Sequence, residues 1–381
     1  MVETIVTSTR TRLRLAYFVP PSRHFAGIER VVHEIASGMV ERYGDVLDVH
    51  VLFASDYDEP LLASTRYVRH VLGVDRLRGL AIALRRRVAA EDVDILVCPQ
   101  IEASVIAWIA TRGLRLPYFV PHLHGNPRLE EADGTRRTRA AFALFRRVVA
   151  ARSAGVLAVS PSLARYAATE LAPTREVAFA RNPVRAMGTK LREPSTDDAR
   201  FHLLCVGRLS RQKGQDILLR ALALARADLP PVTLTLVGSG PEEASLQEAC
   251  TRLGLDDVVE FIGYTSEPEA YFRAADCLVL PSRWEGFGVV LVEALQTGLP
   301  LLAADCDFGP ADVITDARIG ELVAPNDEHA LAEGLKRAAA RGCDGEGEVF
   351  RREAAKSYGP GEAVRSQYDA LRRFVPLLPG R

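Results

Sequence analysis

The chain has 381 residues, 48% apolar and 25% charged, with a net charge of −1, which is the composition of an ordinary globular protein. That length is too great for one hydrophobic core and implies two domains. No apolar run is long enough to span a bilayer, since the longest are interrupted by Arg, Asp or Pro.

Taken in chain order, the N-terminal stretch MVETIVTSTRTRLRLAYFVPP lacks a signal-peptide layout, because its apolar run is short and ends at Pro20-Pro21. The chain is therefore expected to stay in the cytoplasm. Strands are predicted near 13–19, 47–53, 94–98, 117–121 and 155–159, with helical patterns between them. Over 28–42, for example, Val31, Val32, Ile35 and Met39 recur at helical spacing. Residues 135–152 read as a basic amphipathic helix, with Arg136, Arg139, Arg146 and Arg147 opposite Phe142, Phe145, Val148 and Val149. Residues 184–200 (VRAMGTKLREPSTDDAR) are polar and have a linker's composition. The scheme then repeats, with strands near 201–206, 232–237, 258–262, 277–280 and 300–304 and helices near 215–227, 242–253, 267–275, 289–297 and 328–340.

Strand–helix alternation implies parallel sheets covered on both faces. The expected architecture is two doubly wound, Rossmann-like α/β domains facing each other across a cleft. They would comprise residues 1–184 and 201–356, with a linker at 185–200 and residues 357–381 packing back on the first domain. Ligands in such sheets sit beyond the carboxyl ends of the strands, where the motifs below fall. The six cysteines are scattered and never form CxxC, so neither a disulfide framework nor a zinc site is implied. Charge is uneven: residues 1–190 carry 27 Lys and Arg against 19 Asp and Glu, and the rest carry 21 against 30. A basic first half fits an anionic partner or plain solvated charge.

After the strand at 201–206 comes GRLSRQKG (207–214), then a helix. Gly207 and Gly214 permit a tight turn, and Arg208 and Lys213 set two cations at a helix N-terminus, a site suited to a diphosphate. Lys occurs only at 190, 213, 336 and 356, which makes Lys213 conspicuous. GSGPE (238–242) opens the next helix as a tight turn; a dinucleotide fingerprint needs a third glycine at 243, which is Glu, so NAD is not supported. In RWEGFGVVLVE (283–293), Glu285 lies in the loop after the strand at 277–280 and Glu293 about one turn into the following helix. Gly286 and Gly288 let backbone amides approach a ligand. The two carboxylates are badly placed to flank a glycosidic bond as a hydrolase pair and suit two separate hydroxyl-binding roles.

In order and spacing, GRLSRQKG, VGSGPE, the E-x7-E pattern of PSRWEGFGVVLVEALQTGLP and GELVAPND (320–327) resemble the retaining nucleotide-sugar glycosyltransferases of family 4, which have the GT-B fold. The resemblance covers roughly the whole second half. It implies that Arg208 and Lys213 clamp the donor diphosphate beside Gly207. Glu285 would touch the donor sugar's hydroxyls, near Gly286 and the amides of Phe287 and Gly288. Glu293 would bind the ribose, while Gly263-Tyr264 and Leu322-Val323 border the base. In the first half, Ala26-Gly27 stands where the family usually has two glycines, and His124 stands where it often has a functional histidine, with His122 a nearby rival. Arg181-Asn182-Pro183 resembles a structural turn. Phe308 to Asp312 (FGPAD) departs from the commoner double-glycine loop and is closer to members that build bacterial surface polysaccharides and glycans.

The implied reaction moves a hexose or N-acetylhexosamine from a nucleotide diphosphate to an acceptor hydroxyl with retention. UDP is the expected base carrier and GDP the alternative. The acceptor would be a glycan or lipid-linked; a nucleic-acid partner is not expected, and peripheral contact with an anionic inner membrane is a further expectation from the basic helix. No cofactor is expected and a divalent metal is not needed: Asp92-Val-Asp94 precedes its strand, while Asp305-Cys-Asp307 follows one and keeps a metal open. The leaving phosphate would take the acceptor's proton. Two other readings stand beside this one: a nucleotide-sugar epimerase on the same fold, and a non-catalytic two-domain protein closing on a small ligand.

Overall fold

The computed structural model describes residues 11–22, 27–74, 77–187, 200–342 and 345–380. Ala26 and most of the linker stretch, 188–199, lie outside the described residues. The chain divides into two units, Met1–Pro183 with Pro360–Arg381, and Val184–Gly359.

The first unit is built on β1 (Leu13–Val19), β2 (Leu47–Phe53), β3 (Val68–Val71), β4 (Ile95–Pro99), β5 (Tyr118–Leu123), β6 (Val156–Ala158) and β7 (Val177–Phe179). They form one parallel sheet in the order β3-β2-β1-β4-β5-β6-β7. The order reverses between β1 and β4, which makes their carboxyl ends a topological switch point. β1 shows why the sequence takes this form: Leu15 to Val19 are all buried, a continuous apolar run with no alternation, because helices cover both faces. The helix Ile28–Tyr43 turns Val32, Ile35, Ala36 and Met39 into the core. The helix Pro360–Phe374 returns to this unit, where Tyr368 stacks on Tyr43 with ring centroids 3.7 Å apart. Gly38 and Gly155 leave the room that Val364 and Phe374 fill; a Cβ at either glycine would strike them.

β3 and β7 go beyond the predicted strands. β3 is a four-residue edge with Val68 and Val71 exposed, and β7 has three residues, so neither carries a recognisable pattern. The basic stretch is not one regular helix. It runs as Arg136–Leu144, a π-turn at Phe145–Val149 and Ala150–Arg152. Ala150 N–H bonds to the Phe145 carbonyl, five residues back, and the wider turn buries Phe145, Val149 and Ala150 together.

The second unit carries β8 (Phe201–Val206), β9 (Val232–Val237), β10 (Val259–Gly263), β11 (Cys277–Leu280), β12 (Leu301–Ala304) and β13 (Gly320–Val323). They form a second parallel sheet in the order β10-β9-β8-β11-β12-β13, with its switch point between β8 and β11. β13 was not predicted, because GELV is short and carries a charge. The predicted helices appear as Gln215–Ala225, Glu243–Arg252, Glu269–Ala274, Val289–Thr297 and Glu328–Arg341. Asp327 caps the last, accepting from the amides of His329 and Ala330 at 3.0 and 2.9 Å. Among the described residues no helix is long and apolar enough to cross a membrane.

Candidate active site

β8 and β11 are neighbours at the switch point, so the loops that follow them, 207–214 and 281–288, open side by side. Hydrogen bonds stitch the two together. Arg283 N–H donates to the Gln212 carbonyl at 2.8 Å, and Gln212 Nε2 donates to the Trp284 carbonyl at 3.0 Å. The Arg283 guanidinium spans both oxygens of Asp216 at 2.7 Å each and donates to the Arg211 carbonyl at 2.8 Å. Burial alone would raise the Asp216 carboxyl; the bonds and charge of Arg283, aided by Arg220, outweigh it and hold the group below its ordinary value. Gly214 sits at φ +67°, and a Cβ there would collide with the Pro281 carbonyl oxygen. Only glycine lets the loops approach this closely.

At the mouth of these loops Lys213 Nζ donates to Glu285 Oε1 at 2.6 Å, and Ser282 Oγ donates to the same oxygen at 2.7 Å. Glu285 is 5% exposed, so its charge needs these partners. Its other oxygen, Oε2, has no partner among the described residues and can accept from a ligand hydroxyl. The Lys213 stem lies over Gly207. Arg208 is exposed beside it, and its side chain has no partner among the described residues. Two buried thiols sense the pair. Burial pushes Cys205 up to about 12, with Lys213 opposing and Glu285 adding; burial also takes Cys306 to about 12, with Glu285 adding. Both are therefore protonated at neutral pH and neither supplies a nucleophile.

The remaining motif residues of this unit distribute as follows. Gly286, Phe287 and Gly288 are buried in the loop after β11, and Gly288 takes φ +83° to start the helix Val289–Thr297, whose first amides have no intrahelical acceptor. Glu293 is half-buried on that helix. Gly263 ends β10 and accepts from Gly238 N–H at 2.8 Å, while Tyr264 is 78% exposed. Leu322 is half-buried and Val323 buried on β13. Pro281, Ala304 and Val323, at the carboxyl ends of β11, β12 and β13, line one depression with Ile217, Asn326 and Asp327. In the FGPAD loop Phe308 holds a left-handed φ of +60°, a conformation that glycine takes more cheaply. Of the two DxD sequences, Asp94 accepts from Arg14 N–H at 2.9 Å at the start of the first sheet, and Asp305 is exposed after β12. Sequence reasoning missed Ser282, Asp216 and Arg283. The only sequence signal was that Ser282 and Arg283 precede Glu285 in the same loop; Asp216 carried none.

Gly27, His122 and His124 belong to the first unit. Gly27 is exposed at φ +58° at the start of the helix Ile28–Tyr43, and its carbonyl accepts from Val31 N–H at 3.1 Å. His122 and His124 lie at the end of β5 with ring centroids 4.0 Å apart. They line a small cavity with Tyr17, Phe18, Val97, Pro99 and Gln367. Nε2 of both histidines, the Tyr17 hydroxyl and Gln367 Oε1 are buried with no hydrogen-bond partner among the described residues. Burial lowers His124 to about 4; burial, with the neighbouring His124, takes His122 well below its ordinary value. Both imidazoles are neutral at pH 7. Glu130 lies against Gly125, where its Oε1 fills the space a Cβ would need. Burial first, and the charge of Glu102 second, raise its carboxyl to about 7.

Comparison with known proteins follows the same division. Residues 26–183 match the glycosyl transferase 4-like domain and residues 189–356 match the glycosyl transferases group 1 domain. The D-inositol 3-phosphate glycosyltransferase of Arthrobacter sp. is 39% identical over 140 residues, 35% of this chain and 32% of that protein. The GtfA subunit of the Streptococcus pneumoniae UDP-N-acetylglucosamine–peptide N-acetylglucosaminyltransferase is 30% identical over 143 residues, 38% of this chain and 28% of that protein. The chain thus spans about a third of the length of the curated relatives it matches. Among solved structures, a lipopolysaccharide outer core galactosyltransferase, WaaB, matches with TM-score 0.73 at 19% identity, over 94% of this chain and 99% of that one. Anabaena HepE in complex with UDP-glucose matches with TM-score 0.73 at 23% identity, over 96% and 100%. Those likenesses show the fold, and with the two domain matches they place the chain: it belongs to the family-4-like glycosyltransferases of the GT-B fold.

Proposed function

We propose that this protein transfers a hexose or N-acetylhexosamine from a nucleoside diphosphate to an acceptor hydroxyl, with retention of anomeric configuration. The observation that carries the reading is the Lys213–Glu285 pair, set between two glycine-bearing loops at the carboxyl ends of β8 and β11. Arg208 and Lys213 neutralise the donor diphosphate, joined by the amides that open the helix Val289–Thr297. Glu285 is held through Oε1 by Lys213 and Ser282 and accepts a sugar hydroxyl at Oε2. Glu293 takes the ribose hydroxyls, and Leu322, Val323, Gly263 and Tyr264 border the base. In the first unit, neutral His124 donates or accepts a hydrogen bond without carrying charge.

The bond from the anomeric carbon to the phosphate oxygen breaks, the bond from that carbon to the acceptor oxygen forms, and the acceptor's proton passes to the departing diphosphate. Charge develops on that leaving group, where fixed cations stabilise it most. UDP is the proposed carrier, which accords with the UDP-glucose bound by HepE. A divalent cation is not required in this scheme, because side-chain cations and amides face the diphosphate.

The acceptor is proposed to be a glycan or a lipid-linked saccharide. Arg136, Arg139 and Arg147 are exposed, whereas Phe142, Phe145 and Val149 are buried and Arg146 pairs with Glu131. An anionic membrane would therefore meet arginines alone, and binding to anionic vesicles would weaken as salt rises. The deciding experiment is a panel of UDP- and GDP-sugars with saccharide acceptors, read by release of free nucleoside diphosphate with and without chelator. Acceptor-dependent release that survives chelator is the expected result. Isomerised donor without release would indicate an epimerase, and release abolished by chelator would overturn the metal-free scheme.

A further inference from the structure

A second cluster of titratable side chains lies at the outer end of the first sheet, away from its switch point. His50 is on β2 and His70 on the edge strand β3, and the register pairs Leu52 with His70, so both imidazoles share one face. His50 Nδ1 and His70 Nε2 stand 3.0 Å apart. Glu91, just past the helix Leu77–Ala90, reaches the same place. Its Oε2 lies 3.9 Å from His50 Nδ1 and its Oε1 3.8 Å from His70 Nδ1. One ligating atom from each of the three side chains falls within 4.8 Å of the other two.

We propose that His50, His70 and Glu91 form a binding site for a divalent transition-metal cation of the zinc type. Tetrahedral zinc at about 2.0–2.1 Å from nitrogen and oxygen sets its ligands about 3.3 Å apart. The separations of 3.0 and 3.9 Å at His50 Nδ1 bracket that value, and with all three ligating atoms within 4.8 Å of one another the side chains must pivot to close the His70–Glu91 edge. Asp48 adds charge but no bond: its Oδ2 lies 3.2 Å from His50 Nε2, which nevertheless has no hydrogen-bond partner among the described residues, so a negative charge stands behind the ring. Burial supplies the second argument. His50 is 3% exposed, and nitrogen lone pairs and a carboxylate facing one another there need a proton or a cation between them. The carboxyl end of the helix Leu77–Ala90 adds partial negative charge.

Arg87 competes. It holds Glu91 Oε1 at 3.0 Å, but its side chain is 38% exposed and can return to water at small cost. Arg14, 3.4 Å from Asp48, stays with that carboxylate. Two nitrogens and one carboxylate suit zinc, cobalt or nickel better than calcium or magnesium, which take oxygen. A cation here would tie β3, a four-residue edge, to β2 and to the helix behind them, which makes the site structural rather than part of the transfer chemistry.

The full chain, stripped with chelator and dialysed, is titrated with Zn²⁺ against a chromophoric chelator and with Co²⁺ by visible absorption. One equivalent should bind at micromolar or lower concentration, raise the melting temperature, and give a cobalt band. His70→Ala and Glu91→Gln should each weaken binding about tenfold or more and lose the band, while Arg87→Ala tightens it. Nucleotide release from the donor sugar should be unchanged in all three. Zn²⁺ should also shield His70 of the unaltered protein from diethyl pyrocarbonate, read by peptide mass, which keeps the test independent of how the variants fold. Absence of saturable micromolar binding overturns the proposal. So does binding that both His70→Ala and Glu91→Gln leave intact, or His70 modified at the same rate with and without Zn²⁺.

Discussion

Lys213 and Glu285, 72 positions apart in the chain, meet through a 2.6 Å hydrogen bond that joins the loop after β8 to the loop after β11. The lysine is 21% exposed and the carboxylate almost wholly buried, so the pair has one face toward solvent and one toward protein. In such a pair each group restrains the other before any ligand arrives, and the positions of both charges are set in advance.

Replacing Lys213 with alanine leaves the buried Glu285 with Ser282 as its remaining side-chain partner. Stability should fall by about 1–3 kcal/mol, less than a fully buried pair would lose, because the lysine reaches solvent. Turnover should fall about 100-fold or more, through the lost charge at the diphosphate. Denaturant melts and nucleotide-release assays measure the two effects; turnover within about twofold of the unaltered protein would remove Lys213 from the site.

Gly214→Ala puts a Cβ against the Pro281 carbonyl at a φ that side chains adopt at a cost. The loops must part, and the Gln212, Arg283 and Asp216 bonds loosen with them. A loss of about 2 kcal/mol or more in chemical denaturation is expected, with a further fall in turnover. Gly254→Ala is the control: that glycine also has positive φ but open space around it, so it should lose backbone strain energy alone and keep turnover.

His124 is buried neutral, with its folded-state value near 4 against an ordinary 6.5. The unfolded chain therefore binds more protons between those values. Stability is complete above about pH 6.5 and declines as pH falls toward 4. His124→Gln should flatten that decline in pH-dependent melts, with turnover at pH 7 reduced. If NMR titration of the unaltered protein instead shows His124 ionising near 6.5, the buried neutral assignment fails.

Glu130 has the opposite sign. Its folded-state value of about 7 lies above the ordinary 4.5, so the unfolded chain gives up its proton first as pH rises. The resulting penalty is absent below about pH 4.5, grows to pH 7 and is constant above. Glu130→Gln should match the unaltered protein at pH 4 and exceed it at pH 8 by up to about 3 kcal/mol. A variant less stable than the parent at pH 8 would show that the carboxylate has a stabilising partner when ionised.

Much of this fold was legible because parallel strands buried on both faces write themselves as apolar runs: LRLAYFV, ILVC and CLVL each became a strand where expected. What could not be read was whatever depended on distance in the chain or on brevity. VRHV at the exposed edge and VAF carry too little pattern, and GELV hides a strand behind a glutamate. The motif residues could be named individually, but nothing in GRLSRQKG says that its lysine bonds to the glutamate of PSRWEGFG. That contact depends on β8 and β11 lying side by side, a fact of sheet order. Arg283 and Asp216 were invisible for the same reason. Each looks like a surface charge until the two loops are brought together.

The helix Pro360–Phe374 gives its buried face to the first unit, although the whole of Val184–Gly359 is made before it. During synthesis the sheet of β1 to β7 therefore waits with an open apolar trough where Tyr368, Leu371 and Phe374 will lie. At about 5–20 residues per second the wait lasts on the order of ten seconds or more. Ribosome-bound nascent chains of this protein should consequently be holdase clients until the helix Pro360–Phe374 emerges, and early termination near 359 should yield aggregates rather than a shortened enzyme.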